Sequence, residues 1–354
     1  MPGTDARPLP DQDLEHVLAN TEGIWEDLRD GRLFVTGGTG FFGRWMLESF
    51  LKANDDLGLG ANITVLTRDP ARFAEAAPHV AANAAVALHP GDVKSFAFPD
   101  IGYTHVLHMA TEAGPGFSPI ASFETAIAGT ERVLTFAGLC GARKLLLTSS
   151  GAVYGKQPPD VERLSEEYVG APRPEEVSAG YGHGKRAAEY LCSVAAAESD
   201  LEAKIARCFA FVGPLLPLDL NFAIGNFVRD ALDLDHIEVL GDGTARRSYL
   251  YAADLAVWLW TILIRGQSGR PYNVGSEEDL SIADLARLVA GVVRPGIPVR
   301  IAEPAAAGAS PSRYVPSTAR ATGELGLHAG VMLDEAVRRT AQWHRAGPPR
   351  VGAG

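Results

Sequence analysis

The stretch Leu33-Phe-Val-Thr-Gly-Gly-Thr-Gly-Phe-Phe-Gly43 decides the fold of this chain. It has the pattern of a buried strand, a glycine-rich turn and the start of a helix. Gly37, Gly40 and Gly43 have the spacing G-x-x-G-x-x-G, which lets the backbone approach a pyrophosphate at the helix N-terminus. An ordinary tight turn is the alternative, but the position after the first apolar strand of an alternating pattern favours dinucleotide binding.

Short apolar strands recur downstream, with helical stretches between several of them. The predicted strands are Leu33–Thr36, Ile63–Thr67, Val86–His89, Val106–Met109, Lys144–Ser149 and Ala203–Phe209. Strands that alternate with helices predict a parallel sheet covered on both faces. We therefore predict an α/β fold, a Rossmann-type doubly wound parallel sheet with a smaller C-terminal substrate-binding lobe.

The sequence pattern changes after Pro214, where the predicted elements become shorter and are separated by Pro, Asp and Gly. The predicted parts are an N-terminal helical extension (1–31), the dinucleotide-binding domain (32–213), a mainly substrate-binding lobe (214–345) and a tail (346–354). A strand and helix within 248–275 are expected to return to the Rossmann core.

Composition limits the function classes. The 354 residues carry a formal charge of −11, which argues against nucleic acid or an anionic membrane as partner. Three widely spaced cysteines, none in a C-x-x-C pair, predict reduced thiols in a cytoplasmic protein and no metal site. The longest apolar run, Leu255–Ile264, is too short to span a bilayer.

The segment Tyr181-Gly-His-Gly-Lys185 carries the candidate chemistry. A tyrosine and a lysine four residues apart share one face of a helix. The Lys185 ammonium is therefore expected to lower the pKa of the Tyr181 phenol, which is about 10 when unperturbed. A phenol made acidic in this way can exchange protons beside a nicotinamide; a tyrosine that only packs against the protein is the alternative. Ser150 lies about thirty residues upstream, at the end of a predicted strand.

Seven motifs in order resemble those of the extended short-chain dehydrogenases/reductases, in the NAD-dependent epimerase/dehydratase group that acts on nucleotide sugars. They are TGGTGFFG (36–43), GDV (91–93), HMAT (108–111), SSGAVYG (149–155), YGHGK (181–185), GDGTARRSYLYAADLA (241–256) and YNVGS (272–276). The resemblance covers roughly residues 32–345. It implies a homodimer that pairs helices 120–140 and 181–198 with their copies.

The same resemblance implies roles for individual residues. Tyr181 would be the catalytic acid/base, Lys185 would bind the nicotinamide ribose, and Ser150 would hydrogen-bond the reacting sugar oxygen. The remaining cofactor-binding residues would be Gly37, Gly40, Phe41, Phe42, Gly43, Arg68, Asp92, Val93, Met109, Ala110 and Thr111. The choice between NAD and NADP stays open: Arg68 favours a 2′-phosphate, whereas Asp69 could accept a ribose hydroxyl.

A nucleotide-diphosphate sugar would need a basic site. Arg247 matches the arginine that clamps the diphosphate in the family, and a guanidinium suits bidentate phosphate binding. Arg313 and Asn226 are expected to assist from the C-terminal lobe. The alternative is that these arginines are surface residues in salt bridges.

Departures from the family pattern narrow the reaction. Where the dehydratases and decarboxylases carry a carboxylate after the catalytic Ser or Thr, this chain has Gly151 and Ala152. This predicts 4-epimerisation or 4-keto reduction, unless a displaced carboxylate such as Glu112 supports dehydration or decarboxylation. A non-catalytic NAD(P)-binding regulator is a further alternative. Ala126 and Ala210 also replace two asparagines that are common in the family.

Overall fold

Strands and helices alternate in the computed structural model, which describes residues 6–112, 118–220, 222–304 and 310–347. Within these ranges the helices are α1 (Asp11–Ala19), α2 (Phe41–Leu57), α3 (Pro70–Ala76), α4 (Pro78–Ala81), α5 (Pro119–Leu139), α6 (Gly180–Glu198), α7 (Ala223–Asp233), α8 (Ala252–Arg265), α9 (Ile282–Val293), α10 (Ala319–Leu325) and α11 (Leu333–Arg345). The strands are β1 (Arg32–Thr36), β2 (Asn62–Thr67), β3 (Val86–Pro90), β4 (His105–His108), β5 (Lys144–Ser150), β6 (Glu202–Cys208), β7 (Phe211–Val212), β8 (Ile237–Val239), β9 (Arg246–Ser248), β10 (Leu250–Tyr251), β11 (Pro271–Val274), β12 (Asp279–Ser281), β13 (Val299–Ile301) and β14 (Arg313–Tyr314).

The central sheet has seven strands in the order β11-β6-β5-β4-β1-β2-β3, and every neighbouring pair is parallel. The chain winds from β1 to one edge and then returns to build the other side from β4. Ligands of such sheets bind outside the carboxyl ends of the strands at this switch point, here between β1 and β4. The predicted fold class, a doubly wound parallel sheet, is confirmed.

Alternate residues of β1 point into two separate cores. Leu33 and Val35 pack with α2 and α8, whereas Phe34 packs with α5 and α6. Such alternation is what a strand buried on both faces requires. Helices α5 and α6 therefore form one outer layer, and α2 and α8 form the other.

The N-terminal helix α1 is held both by β10 of the C-terminal part and by the last helix, α11. The buried carboxylate of Asp13 on α1 accepts hydrogen bonds from Tyr251 (2.7 Å) and from Arg339 of α11 (2.7 Å). Leu9 is buried ahead of the helix, and a 3₁₀ turn at Trp25–Leu28 leads into β1. Residues 1–5 of the predicted extension and 348–354 of the predicted tail lie outside the described residues.

The C-terminal part adds small strand pairings beside the sheet. Strands β12, β9 and β14 form a three-stranded sheet, β13 pairs with β8, and α7, α9 and α11 pack together. Strand β11 instead joins the edge of the central sheet against β6. In the part of the chain that the structure describes, none of the helices combines the length and apolar character needed to cross a membrane.

Candidate active site

The turn between β1 and α2 is shaped by close backbone contacts. Gly37 has φ +73°, and a Cβ on it would lie 2.5 Å from the carbonyl carbon of Met109. A Cβ on Gly43 would lie 2.3 Å from the carbonyl oxygen of Gly37. Only glycine fits at either position, because backbone atoms cannot move aside as flexible side chains do.

Gly40 has more space around it than Gly37 and Gly43, and its surroundings are consistent with an anion-binding site. Its nearest neighbour for an added Cβ is the Gly37 oxygen at 3.5 Å, an ordinary contact, so the surrounding protein does not require glycine there. Gly40 is the N-cap of α2, and within the described residues the N–H groups of the first turn have no hydrogen-bond partner, so they can bind a ligand. Phe41 and Phe42 follow, half-buried. A pyrophosphate group fits this helix terminus.

The outer edge of this cleft contains the residues expected near the adenosine. The Arg68 guanidinium is 69% exposed and lies 3.6 Å from a carboxylate oxygen of Glu112. The Asp69 carboxylate is used as the N-cap of α3, where it accepts from the Arg72 N–H at 3.0 Å. The Asp92 carboxylate likewise accepts the N–H of Lys94 at 2.9 Å, in the turn after β3.

The floor of the cleft is held by a buried hydrogen-bond chain that the sequence did not single out. His108 on β4 contacts the Thr36 hydroxyl (2.8 Å) and the Thr130 hydroxyl (3.1 Å). Burial lowers the pKa of His108 to about 3, so the ring stays neutral. Thr36 also accepts the N–H of Ala110 (3.2 Å), and its carbonyl accepts that of Met109 (3.0 Å). The chain thereby fixes the backbone at the end of β4.

Val93 and Thr111 border the same cleft. Val93 is buried, and its side chain packs against Gly129 on α5, where an added Cβ would lie 3.2 Å away. The Thr111 hydroxyl lies near the Tyr181 phenol. The structure therefore brings a residue from the HMAT motif after β4 close to the predicted acid/base.

Ser150, Tyr181 and Lys185 come together at the carboxyl end of β5. Ser150 is buried at the last position of that strand, and its hydroxyl accepts the Ala152 N–H at 3.1 Å and lies near the Tyr181 phenol. Tyr181 lies in the first turn of α6. The Lys185 ammonium donates to the Thr148 carbonyl at 2.8 Å and lies 5.9 Å from the centre of the Tyr181 ring.

The prediction that Lys185 lowers the pKa of Tyr181 is wrong for the protein without bound ligands. Burial raises the pKa of Tyr181 to about 12, against the opposing effect of the Ser150 and Thr111 hydroxyls. Burial also lowers the pKa of Lys185 to about 8, because the charged ammonium is taken out of water. The ammonium is directed at a backbone carbonyl, so the cost of burying the phenolate dominates.

The glycines of the YGHGK segment serve packing within the protein. A Cβ on Gly182 would lie 2.7 Å from the Ala152 carbonyl oxygen, and one on Gly184 would lie 2.9 Å from the Ala126 side chain on α5. The small residue at 126, where the family often has asparagine, therefore matches the close approach of α5 and α6. His183 between them is partly exposed.

A partly buried ion pair anchors α6 to the sheet, and sequence reasoning missed it. Arg207 of β6 makes a forked pair with Glu189 of α6, with the shortest N–O distance 2.7 Å. Glu189 also accepts the Ser149 hydroxyl, and Arg207 donates to the Tyr154 hydroxyl at 2.9 Å. Glu189 lies about two turns after Tyr181 on the same helix. This spacing could have indicated that the Glu189 carboxylate faces the sheet on the same side as Tyr181.

The three predicted substrate residues have different surroundings. Arg247 of β9 donates to the carbonyl oxygens of Arg246 (2.8 Å) and Ser312 (3.3 Å). Among the described residues it has no carboxylate within salt-bridge distance, which leaves its charge available to an anion. Arg313 instead pairs with Asp279 at 3.1 Å.

Asn226 on α7 holds a loop. With its amide nitrogen turned toward the chain, it donates to the carbonyls of Leu218 (3.0 Å) and Leu220 (2.8 Å). A substrate contact by Asn226 would therefore have to use its amide oxygen. Glu112, the possible displaced carboxylate, accepts the Thr125 hydroxyl at 3.1 Å and faces Arg68.

A cavity of about 380 Å³ lies elsewhere, between β11, α10 and α11. Its lining includes Tyr249, Trp258 and His328 and none of the residues of the Ser-Tyr-Lys group. The convergence of the motifs, and not the size of a cavity, therefore locates the candidate site.

Several known proteins resemble this chain in sequence or in fold. A family profile described as the NAD dependent epimerase/dehydratase family matches residues 33–275. UDP-glucuronic acid decarboxylase 1 of Xenopus tropicalis is 29% identical over 317 residues, 89% of this chain and 72% of that protein. UDP-glucuronic acid decarboxylase 6 of Arabidopsis thaliana is 28% identical over 336 residues, 94% of this chain and 92% of that protein. The structure of epimerase Mth375 from Methanothermobacter thermautotrophicus shares the fold, with a TM-score of 0.74 at 21% identity, over 90% of this chain and 94% of that chain.

Proposed function

Because the chain belongs to the NAD dependent epimerase/dehydratase family, we propose that it is an enzyme that changes a nucleotide-diphosphate sugar at C4. The observation that carries this proposal is the meeting of Ser150, Tyr181 and Lys185 beside the cleft between β1 and β4. The reaction we favour is 4-epimerisation or 4-keto reduction.

The cofactor would be held by the β1–α2 turn. The free N–H groups of the first turn of α2 suit its pyrophosphate, and the end of β4 would line its nicotinamide half. When bound, the nicotinamide supplies a hydride acceptor or donor next to the sugar carbon.

Tyr181 would move the proton that accompanies the hydride. During oxidation it takes the proton of the C4 hydroxyl, and during reduction it returns one, so that charge does not build up on the sugar oxygen. Ser150 would hydrogen-bond the same oxygen. Lys185 would stabilise the phenolate that Tyr181 passes through, since an ammonium nearby favours the charged form.

The diphosphate would be bound by Arg247. Its guanidinium is partly buried, is held by backbone carbonyls and has no carboxylate partner among the residues described, so a phosphate would meet an unpaired charge. Burial lowers the pKa of Arg247 somewhat. The guanidinium nevertheless stays charged at neutral pH.

The surroundings of Arg68 and Asp69 support a preference for NADP over NAD. Arg68 forms a 3.6 Å ion pair with Glu112 but is 69% exposed, so the rest of its guanidinium is open to a 2′-phosphate. Asp69, the residue that would favour NAD, is committed to capping α3.

Decarboxylation of a nucleotide-linked uronic acid is the second candidate, because the two curated relatives described above are UDP-glucuronic acid decarboxylases. Oxidation at C4 of such a sugar gives a β-keto acid, and this class of compound loses CO₂ readily. The early half of this reaction needs the same Ser-Tyr-Lys group as epimerisation. Gly151 and Ala152 offer no proton donor for the later half.

A substrate panel separates these reactions. The purified enzyme is incubated with UDP-, dTDP-, GDP- and CDP-sugars, UDP-glucuronic acid among them, with and without added NADPH, and the products are identified by mass spectrometry and NMR. Interconversion of C4 epimers without added NADPH supports epimerisation, turnover that stops without NADPH supports reduction, and release of CO₂ supports decarboxylation. Binding of the cofactor with no turnover of any sugar would contradict the proposal and favour a regulatory role.

A further inference from the structure

Lys185 and Glu189 lie four residues apart on α6, yet their side chains do not pair. Residues at this spacing are neighbours on a helix, so a lysine and a glutamate can form an ion pair there. In the part of the chain that the structure describes, the Lys185 ammonium has no ion pair, and it donates to the Thr148 carbonyl at 2.8 Å. The Glu189 carboxylate is engaged elsewhere.

Arg207 of β6 contacts both oxygens of the Glu189 carboxylate. The Arg207 Nε lies 3.0 Å from one oxygen and 3.1 Å from the other, and a terminal nitrogen of the guanidinium lies 2.7 Å from the second. The Ser149 hydroxyl of β5 donates to the first oxygen. The side chains of Arg207 and Glu189 are no more than 13% exposed, so water and salt screen the pair only weakly. The carboxylate is thus committed to β5 and β6 and not to Lys185.

The other end of the Arg207 guanidinium is fixed by a buried chain of hydrogen bonds. Ser149, Arg207 and Asn273 lie in register on β5, β6 and β11. Arg207 donates to the Tyr154 hydroxyl at 2.9 Å, and this hydroxyl donates to the Asn273 amide oxygen at 2.7 Å. The Asn273 amide nitrogen donates to the Leu164 carbonyl at 2.8 Å. Because a carbonyl only accepts, the direction of each bond is assigned, and the guanidinium cannot turn without breaking the chain.

Glu189 is the charged group that could compete for the Lys185 ammonium, because its other titratable neighbours are neutral at pH 7. These neighbours are Tyr181 and Cys192 of α6, Cys208 of β6 and His108 of β4. Burial raises the pKa of the phenol and of both thiols to about 12, and it lowers the pKa of the imidazole to about 3. The position of one carboxylate therefore decides whether the ammonium is paired within the protein.

We propose that Arg207 is a positioning residue that holds the Glu189 carboxylate away from Lys185, so that the ammonium remains available to the cofactor ribose and to the Tyr181 phenolate. An ion pair with Glu189 would occupy the ammonium and compensate its charge within α6. The inference deepens the proposed function and rests on it for the formation of the phenolate. The contacts of Arg207 with Glu189 do not depend on the reaction.

The titration of Lys185 in the protein without ligands tests this role. With lysine labelled with ¹³C at Cε, NMR follows the ionisation of the ammonium groups, and the Lys185 signal is identified by its loss in Lys185→Arg. We expect a pKa of about 8 in the wild type. Arg207→Met leaves Glu189 without its partner, so the carboxylate can pair with Lys185 and raise that pKa by about one unit. Adding Glu189→Gln removes the carboxylate and should return the pKa to about the wild-type value.

Three further variants separate this role from a purely structural one. Arg207→Lys keeps a positive charge beside Glu189 and should leave the titration of Lys185 close to that of the wild type. Arg207→Gln removes the charge but suits the same polar surroundings, and it replaces Arg207→Met if that variant does not fold. Arg339→Met is the matched control, because it removes an ion pair with the buried Asp13 on the opposite face of the sheet. It should leave the Lys185 titration unchanged.

The outcomes distinguish the positioning role from the reaction. A Lys185 titration that does not move in Arg207→Met or Arg207→Gln overturns the proposal, and so does a rise that persists when Glu189→Gln is added. In the active enzyme, the pH at which kcat/KM for sugar oxidation falls should rise by the same amount in the charge-removing variants of Arg207. A moved titration without turnover of any sugar in the panel overturns only the proposed reaction.

Discussion

At the scale of single residues, the site is governed by burial more than by the attraction between neighbouring charges. Lys185 loses the solvation of its ammonium and keeps one backbone acceptor, the Thr148 carbonyl. Tyr181 is surrounded by protein that disfavours the phenolate. A bound nicotinamide and sugar would change both environments, so the lysine charge becomes useful only when the phenolate has to form.

This situation predicts a pH dependence. The pKa of Lys185 is lowered to about 8, so the ammonium is present below that pH and is lost above it. We expect kcat/KM for sugar oxidation to fall as pH rises through about 8, because the neutral amine no longer stabilises the Tyr181 phenolate. Lys185→Arg keeps its charge and should abolish this limb while reducing the rate about tenfold or more.

Stopped-flow pH profiles of the wild type and the arginine variant check this expectation. An alkaline limb that survives unchanged in Lys185→Arg would show that another group titrates there, and would remove Lys185 from this role.

Residue-level prediction from sequence worked where a short motif carries the geometry. Tyr181 and Lys185 could be paired because a helix places residues four apart on one face. The position of Tyr314 beside Arg247 could not be found in this way, since it depends on how β14 pairs with β9, far along the chain. The sign of the Tyr181 pKa shift was also beyond the sequence, because it depends on the complete surroundings of the ring.

At the scale of elements, the close contact between α5 and α6 positions the helix that carries Tyr181 and Lys185. Gly180, Gly182 and Gly184 each face protein atoms that leave no room for a side chain: the Pro119 carbonyl, the Ala152 carbonyl and Ala126. The first two turns of α6 can therefore lie against α5 and the turn that follows Ser150. These glycines weaken the helix locally, and packing offsets the loss.

We expect Gly184→Ala to lower the free energy of unfolding by about 1–3 kcal/mol, since its Cβ would lie 2.9 Å from Ala126 and 3.0 Å from the backbone of Phe123. Gly291→Ala on α9 is the matched control. No atom lies within 4 Å of an added Cβ there, so the change should be neutral or stabilising by about 0.5–1 kcal/mol. Urea unfolding measures both variants, and equal effects of the two would contradict the packing explanation.

Element boundaries were predictable where a periodic pattern is long. The predicted helices 120–140 and 181–198 differ from α5 and α6 by about one residue at their ends. Strands β9, β12 and β14 have two or three residues each and show no periodicity, so their sheet could not be predicted. That sheet holds Arg247 and Arg313. No local sequence pattern predicted a role for either residue, and both were expected only from the family resemblance.

At the scale of the whole molecule, the first and the last described helices, α1 and α11, are joined beside α8. His16 contacts Asp254 at 2.7 Å, and Asp13 joins Tyr251 to Arg339 of the last helix. These contacts lie on the face of the sheet opposite α5 and α6, so they leave the outer surface of those two helices uncovered in the part of the chain that the structure describes. Ile120, Leu139 and Tyr190 are exposed on it, and the homodimer through these helices stays a prediction.

The fold class was predictable because one glycine turn and the alternation of strands with helices act together over two thirds of the chain. The sequence did not predict that residues 7–10 have a defined structure. Contacts with distant residues hold this segment in place, such as the hydrogen bond from the Leu9 N–H to Glu48. Contacts of this kind leave no local pattern in a polar, proline-containing segment.

The central claim is that Tyr181 exchanges the proton that accompanies hydride transfer at the sugar. The most direct measurement is the rate of deuterium transfer from a C4-deuterated nucleotide sugar identified by the panel, in the wild type, in Tyr181→Phe and in the Tyr190→Phe control. We predict a fall of about 100- to 10,000-fold in Tyr181→Phe and none in the control. Wild-type rates of transfer in Tyr181→Phe would contradict the account.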